Sequence, residues 1–184
     1  MPIDPPPLRV NRAPVLTLLA AVVAERLGHS EETALTLGRA VAGASARVKA
    51  RRLGIADERS GDGGGAHRAA SQGHDRKAAL PHTVRLLGRE MPVAAAKGGT
   101  VVPLNGDEPG SPTAIRNYLA RAFGERLGEV RGAMERLAAL LAPDELERVG
   151  FRLYERFRPE VPEGVEGWGA KAELRIRRIR GAEG

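Results

Sequence analysis

Cysteine is absent from this chain of 184 residues. Without cysteine, neither a disulfide framework nor a thiolate metal site can form. A chain that needs no disulfides suits a reducing compartment, so we expect a cytoplasmic protein.

Aromatic residues are scarce and unevenly placed. All six lie between Tyr118 and Trp168, so the earlier part of the chain has only aliphatic and alanine side chains for a core. Large rings contribute strongly to the free energy of burial. We therefore expect a self-sufficient core in the C-terminal part, with the N-terminal part docked against it or against a partner.

Only one apolar run resembles a membrane segment, and it covers residues 13–24. It is well short of the ~20 apolar residues that a spanning helix needs, so we expect no membrane association. A cleaved secretory signal is an alternative, because Arg9 and Arg12 precede the run and Ala24 ends it. The prolines and acidic residue of the leader, and a helical pattern that continues to Leu27, favour a buried helix instead.

Residues 1–54 are predicted to form a helical hairpin. The first helix begins at the N-cap Asn11 and closes at Gly28, and the second begins at Ser30 and is stopped by Gly54. The inner stripe of the second helix is predicted to be Ala34, Leu37, Val41, Ala44 and Val48. Small residues recur every four positions and would let another helix approach closely: Gly38, Ala42 and Ala46.

The first helix is apolar over nearly its whole circumference. Such a helix is usually buried on most sides, yet only one helix is adjacent to it in sequence. Its remaining face must be covered by the C-terminal helices or by a second copy of the chain. We expect a homodimer, with docking inside one chain as the alternative.

Residues 55–82 are rich in Gly, Asp, Ser and His and lack apolar periodicity, which predicts a flexible linker. Its three histidines and two nearby aspartates match no established metal-ligand spacing. They are His67, His74, His82, Asp62 and Asp75. The glycine run in the linker also lacks the Lys-Ser/Thr that completes a phosphate loop. We therefore predict no metal and no cofactor.

Residues 83–110 are predicted to be a short β or loop segment. A small hairpin is expected around Gly88 and Arg89, since Gly at the first turn position suits a type II′ turn. Residues 100–104 are a candidate third strand. Pro92 within the hairpin would restrict its strand to a sheet edge or end.

Residues 111–184 are predicted to form a three-helix bundle with a C-terminal extension. The first helix is bracketed by Ser111 and Gly124, the second follows it, and the third opens at Pro143. Trp168 is expected to fold back as a cap on the bundle. The fold class is thus mainly α: an N-terminal helix pair, a Gly-rich connector with a small hairpin, and this bundle.

The net charge of +6 is concentrated in two clusters without acidic residues. The first is Arg47, Lys49, Arg51 and Arg52. The second is Arg175, Arg177, Arg178 and Arg180. Compact clusters of arginine suit phosphate binding, which indicates contact with nucleic acid. The alternatives are that the first cluster complements a helix dipole and that the second is a solvated tail.

Residues 24–34 resemble the central stretch of a bacterial helix-turn-helix, in which Leu-Gly precedes a Ser-capped second helix. This resemblance implies DNA binding through the second helix. It departs from the pattern at His29, where an apolar turn residue is usual, and Leu35 would point into the DNA groove. A plain helical hairpin is the favoured alternative.

The sequence shows no nucleophile beside a base and no pair of inward carboxylates, so we do not favour an enzyme. A ligand could still bind around an aromatic cap formed by Tyr154, Arg158, Trp168 and Lys171, where a ring lies beside cations. The alternative for these residues is core packing. The leading hypothesis is a non-enzymatic protein that contacts nucleic acid. A protein–protein scaffold is second and an enzyme of unidentified chemistry is third.

Overall fold

The computed structural model describes residues 3–52, 82–95, 101–103, 111–165 and 172–182. The fold is mainly helical, as predicted. The helices are α1 Arg12–Arg26, α2 Glu31–Arg52, α3 Pro112–Phe123, α4 Leu127–Ala139, α5 Pro143–Phe157 and α6 Ile176–Arg180. The strands are β1 Leu8–Arg9, β2 His82–Leu86, β3 Arg89–Ala95, β4 Val101–Pro103 and β5 Glu173–Leu174. Apart from His82, the predicted linker lies outside the described residues.

Helix α1 forms the centre of the hydrophobic core. Every residue from Pro14 to Ala24 is buried, and the helix packs against α2, α3, α4, α5 and β2. A fully buried Leu or Val contributes about 1.5–3 kcal/mol, which makes this helix a major source of stability. Its apolar circumference is therefore covered within one chain. Among the described helices, none is both long and apolar enough to cross a bilayer.

Helix α2 returns antiparallel to α1. Its first turn is capped by the Ser30 hydroxyl, which accepts a hydrogen bond from the Thr33 amide at 3.3 Å. Two turns further on, Gly38 lies against the backbone of Thr17 and Ala21. This contact, well away from the connecting turn, confirms the helical hairpin.

The last turns of α2 extend past α1. Leu37 and Val41 are fully buried as predicted, whereas Ala44 is only partly buried and Val48 is 40% exposed. The predicted inner stripe is therefore wrong at its C-terminal end. The cause is length, because α2 has 22 residues and α1 only 15.

Helices α3, α4 and α5 form the predicted three-helix group. The Ser111 hydroxyl caps α3 by accepting a hydrogen bond from the Ala114 amide at 3.1 Å. Gly124 ends this helix with a φ of +57°, and Pro143 occupies the first turn of α5, where its missing N–H costs little. Their buried faces meet α1, so the N-terminal hairpin and these helices share one core.

The hairpin of β2 and β3 is present, but its turn is one residue earlier than predicted. Leu86 pairs with Arg89, which places Leu87 and Gly88 at the turn with φ values of +52° and +71°. Two positive φ values are typical of a type I′ turn and not of the predicted type II′. Leucine is unusual at a position with positive φ. Burial explains its presence, because the Leu87 side chain is 1% exposed and packs against Gly150 of α5.

The three described strands of this sheet lie in the order β2-β3-β4, so the predicted third strand is confirmed. Pro92 lies on the central strand and not at a sheet edge as predicted. It pairs with Thr83 on one side, while the pairing with β4 begins at Val93. Pro92 therefore has one described neighbouring strand, β2. On its other side no described residue of β4 needs the backbone N–H that proline lacks.

The two ends of the chain pair with each other. Strand β1 is antiparallel to β5, and the Val10 amide donates a hydrogen bond to the Ala172 carbonyl at 2.9 Å. Helix α6 follows β5 directly and packs on α4 and α5. The cap predicted for Trp168 lies outside the described residues.

Candidate nucleic-acid interface

The first basic cluster lies on the end of α2 that extends past α1. Arg47, Lys49 and Arg52 are exposed there, while the side chain of Arg51 lies outside the description. Residues 33–56 contain no acidic residue, so the helix end carries positive charge alone. The carbonyl end of a helix attracts cations, which accounts for part of this placement. We call these four residues the α2 cluster.

The second basic cluster lies on α6 and the residue before it. Ile176 and Ile179 are buried and fix one face of this short helix against the core. The opposite, exposed side carries the four arginines, which we call the α6 cluster: Arg175, Arg177, Arg178 and Arg180. The structure thus presents them on an anchored helix, where the sequence alone allowed a solvated tail.

Two arginines of the α6 cluster make surface ion pairs. Arg177 donates to Asp4 at 2.9 Å and Arg178 donates to Glu160 at 2.9 Å. Exposed pairs of this kind contribute only about 0–1 kcal/mol. A phosphate group could therefore replace either carboxylate as the partner of its arginine, with little loss in the stability of the fold.

The two clusters lie on different parts of the fold. Helix α2 packs on α1, α3 and β4, whereas α6 packs on α4 and α5. Extensive packing between α2 and α6 is not observed among the described residues. Each cluster is therefore a separate patch.

Helix α2 cannot act as the recognition helix of a helix-turn-helix. Its N-terminal half is buried on all sides from Thr33 to Gly38, and Leu35 is only 2% exposed. A recognition helix must present this part to the major groove. The resemblance of residues 24–34 to that motif is thus local, and the DNA-binding geometry that it implied is wrong.

The predicted aromatic cap is only partly described, since Trp168 and Lys171 lie outside the described residues. Tyr154 is 6% exposed and packs near Phe151 and Phe157, with ring centroids 5.7 and 6.1 Å away. Burial raises the pKa of its hydroxyl, and the charges of Arg12 and Arg158 partly oppose that rise. Tyr154 is therefore a core residue, as the alternative interpretation held, while Arg158 is exposed.

The described residues contain no group of three or more His, Asp or Glu side chains that could hold a metal. His82 lies exposed at the start of β2. The other candidate ligands, His67, His74, Asp62 and Asp75, lie outside the described residues.

Sequence reasoning missed a cleft beside the start of α1. It has a volume of about 310 Å³, and its polar lining residues are Arg9, Asn11, Tyr118 and Arg121. Arg9 and Asn11 are far in sequence from Tyr118 and Arg121, and the two pairs become neighbours only when α3 packs on α1. No local signal would have found them. We call this site the Tyr118 cleft.

Tyr118 is half-buried between the cleft and α2. The guanidinium carbon of Arg39 lies 4.9 Å from the centre of its ring, a cation–π distance. Burial raises the pKa of the Tyr118 hydroxyl, and the charge of Arg39 partly opposes this rise. The ring is thus held in place by a cation from α2.

No protein-family model matches this chain, and no curated protein or solved structure is significantly similar to it. The basic clusters, the Tyr118 cleft and the packing around them are therefore the observations from which a function can be inferred.

Proposed function

We propose that the chain is a non-enzymatic cytoplasmic protein that contacts nucleic acid through the α2 and α6 clusters. The observation that carries this proposal is the basic end of α2, where Arg47, Lys49 and Arg52 are exposed on a helix that extends past its neighbour. Among the described elements α2 packs on α1, α3 and β4, and its last turns extend past α1, which favours access to a phosphate backbone.

The chemistry of both clusters supports binding to phosphate without base recognition. Seven of the eight residues are arginine, whose planar fork binds phosphate oxygens in pairs. Aromatic residues that stack on bases are absent from both clusters. We therefore expect binding that depends on charge and shows little sequence preference.

Salt dependence tests this proposal. Random-sequence DNA and RNA should bind at low ionic strength and weaken steeply as salt rises, because each neutralised phosphate releases counterions. The double variant Arg51→Glu/Arg52→Glu should abolish binding while its circular dichroism spectrum stays unchanged. Absence of binding at low salt in the unmodified protein would contradict the proposal.

A matched control separates the effect of the α2 cluster on nucleic-acid affinity from the effect of the overall net charge. Arg148 and Arg152 are both exposed on α5, outside the two clusters. The variant Arg148→Glu/Arg152→Glu removes the same amount of positive charge as the α2 double variant. We expect this control to keep most of the affinity. Equal losses in both variants would show that the overall charge, and not the α2 cluster, governs binding.

A protein–protein scaffold is the second candidate. Val48, 40% exposed between Arg47 and Lys49, gives the end of α2 an apolar side chain that a protein partner could cover. Such a contact should depend only weakly on salt. The homodimer remains a prediction that light scattering can test, although the burial of α1 within one chain removes the packing argument for it.

A further inference from the structure

The polar lining of the Tyr118 cleft is cationic. Arg9 is the last residue of β1 and Arg121 belongs to α3, and neither makes an ion pair with a described residue. Acidic side chains are absent from the described residues that line the cleft. No lining residue supplies a carboxylate to these two guanidinium groups; Glu173, the cross-strand partner of Arg9 on β5, does not line the cleft.

The start of α1 adds polar groups to the same cleft. Asn11 is the N-cap of α1, but its side chain makes no capping hydrogen bond. Pro14 accounts for part of this, because it occupies the third helical position and lacks one of the two N–H groups that an N-cap side chain usually accepts from. The Asn11 amide is thus available to a ligand beside the positive end of the helix dipole.

The remaining walls of the cleft are apolar. Val10, Pro14 and Ala122 line the cleft together with Tyr118. Small-molecule sites commonly combine apolar walls with a few convergent polar groups, and about 310 Å³ lies at the lower end of their size range. The cleft is therefore suited to a small ligand with both an apolar body and an anionic group.

We propose that the Tyr118 cleft binds a small organic phosphate monoester, whose two negative charges are matched by Arg9 and Arg121. Arginine forks bind the oxygens of such a group in pairs, and the apolar walls contact its organic body. This site is separate from the α2 and α6 clusters, and the proposal stands whether or not the chain binds nucleic acid.

Phenyl phosphate, benzoate and inorganic phosphate are suitable probes, titrated against the full chain and followed by amide chemical shifts. At about pH 8 the monoester is a dianion. We expect phenyl phosphate to shift amides around Tyr118 and Ala122 with a Kd on the order of 1 mM. Benzoate lacks the second charge and inorganic phosphate lacks the ring, so each should bind about tenfold more weakly.

Substitutions locate the anion. Arg121→Gln and Arg9→Gln should each weaken phenyl phosphate binding by about tenfold, since each removes one charge-assisted contact. The matched control is Arg116→Gln on the same helix, where the exposed arginine pairs with Glu31 and does not line the cleft. The control should leave the affinity within about twofold.

Several results would overturn the proposal. One is the absence of a saturable chemical-shift change with phenyl phosphate. Another is an affinity for benzoate or inorganic phosphate equal to that for phenyl phosphate. A third is unchanged phenyl phosphate binding in both Arg9→Gln and Arg121→Gln. The α2 double variant Arg51→Glu/Arg52→Glu should bind phenyl phosphate as the unmodified chain does. A loss of affinity there would place the anion on the α2 cluster and exclude the cleft. The amide spectrum of each variant reports whether that variant is folded. If one of the two cleft variants does not fold, the other still tests the proposal.

Discussion

Gly38 sets the distance between α1 and α2. A Cβ atom on this residue would lie 2.6 Å from the Thr17 carbonyl oxygen and 3.0 Å from the Ala21 amide nitrogen. Both atoms belong to the backbone, so the two helices would have to separate to relieve the overlap. The sequence predicts this contact, because small residues recur every four positions from Gly38.

We expect Gly38→Ala to reduce the free energy of unfolding by about 1–3 kcal/mol. Overpacking against backbone atoms outweighs the ~1 kcal/mol that alanine gains in helix propensity. Gly43→Ala is the matched control on the same helix, because nothing lies within 4 Å of its Cβ position. This control should stabilise the fold by ~0.5–1 kcal/mol. Urea unfolding followed by circular dichroism measures both, and similar effects would contradict the close contact at Gly38.

The arginines of the Tyr118 cleft show what residue-level reasoning could not reach. The α2 and α6 clusters are contiguous in sequence and could be found by counting charges. Arg9 and Arg121 come together only through the packing of α3 on α1. A single sequence contains no periodic signal for a contact of that kind.

At the level of elements, the position of the turn between β2 and β3 is set more by packing against α5 than by the turn preferences of its residues. Gly88 donates its amide hydrogen to the Glu147 carbonyl at 2.6 Å, and Leu87 is buried against Gly150. The sequence predicted the hairpin from its Gly but placed the turn one residue too late. It could not show that α5 would cover a leucine at the turn, which offsets the strain of a positive φ.

We expect Leu87→Asn to destabilise the protein even though Asn suits a type I′ turn. Relief of the backbone conformation is worth about 1 kcal/mol, whereas removing a buried leucine costs about 2–5 kcal/mol. The net loss should be about 1–4 kcal/mol, measured by urea unfolding.

Leu140→Asn is the control, because Leu140 is 60% exposed after α4 and the same substitution should change stability by less than ~0.5 kcal/mol. A gain in stability for Leu87→Asn would mean that turn chemistry governs this hairpin and that docking on α5 contributes little.

At the level of the whole molecule, the distribution of aromatic residues was a poor guide to the centre of the core. It suggested a self-sufficient C-terminal core with the N-terminal hairpin attached. The structure has one core in which α1, without a single aromatic residue, lies in the middle. The helices themselves were predictable from caps and periodicity. Their mutual arrangement was not, because α1 is apolar all round and its pattern favours no particular neighbour.

A shared core predicts that damage in α1 reaches the C-terminal helices. Leu19 is 1% exposed at the middle of α1, and Leu19→Ala should reduce the free energy of unfolding by about 2–5 kcal/mol. In native-state hydrogen exchange, the slowest amides of α4 and α5 should lose protection by the same factor as those of α1, because all of them require the same global opening.

Val48→Ala is the control, since its side chain is 40% exposed on the part of α2 that extends past α1. It should leave the exchange of all three helices nearly unchanged, because surface substitutions usually alter stability by less than ~0.5 kcal/mol. If Leu19→Ala instead weakened protection in α1 while α4 and α5 kept theirs, the two halves would unfold independently. The C-terminal helices would then be stable without α1, and the aromatic residues would be the true centre of the core.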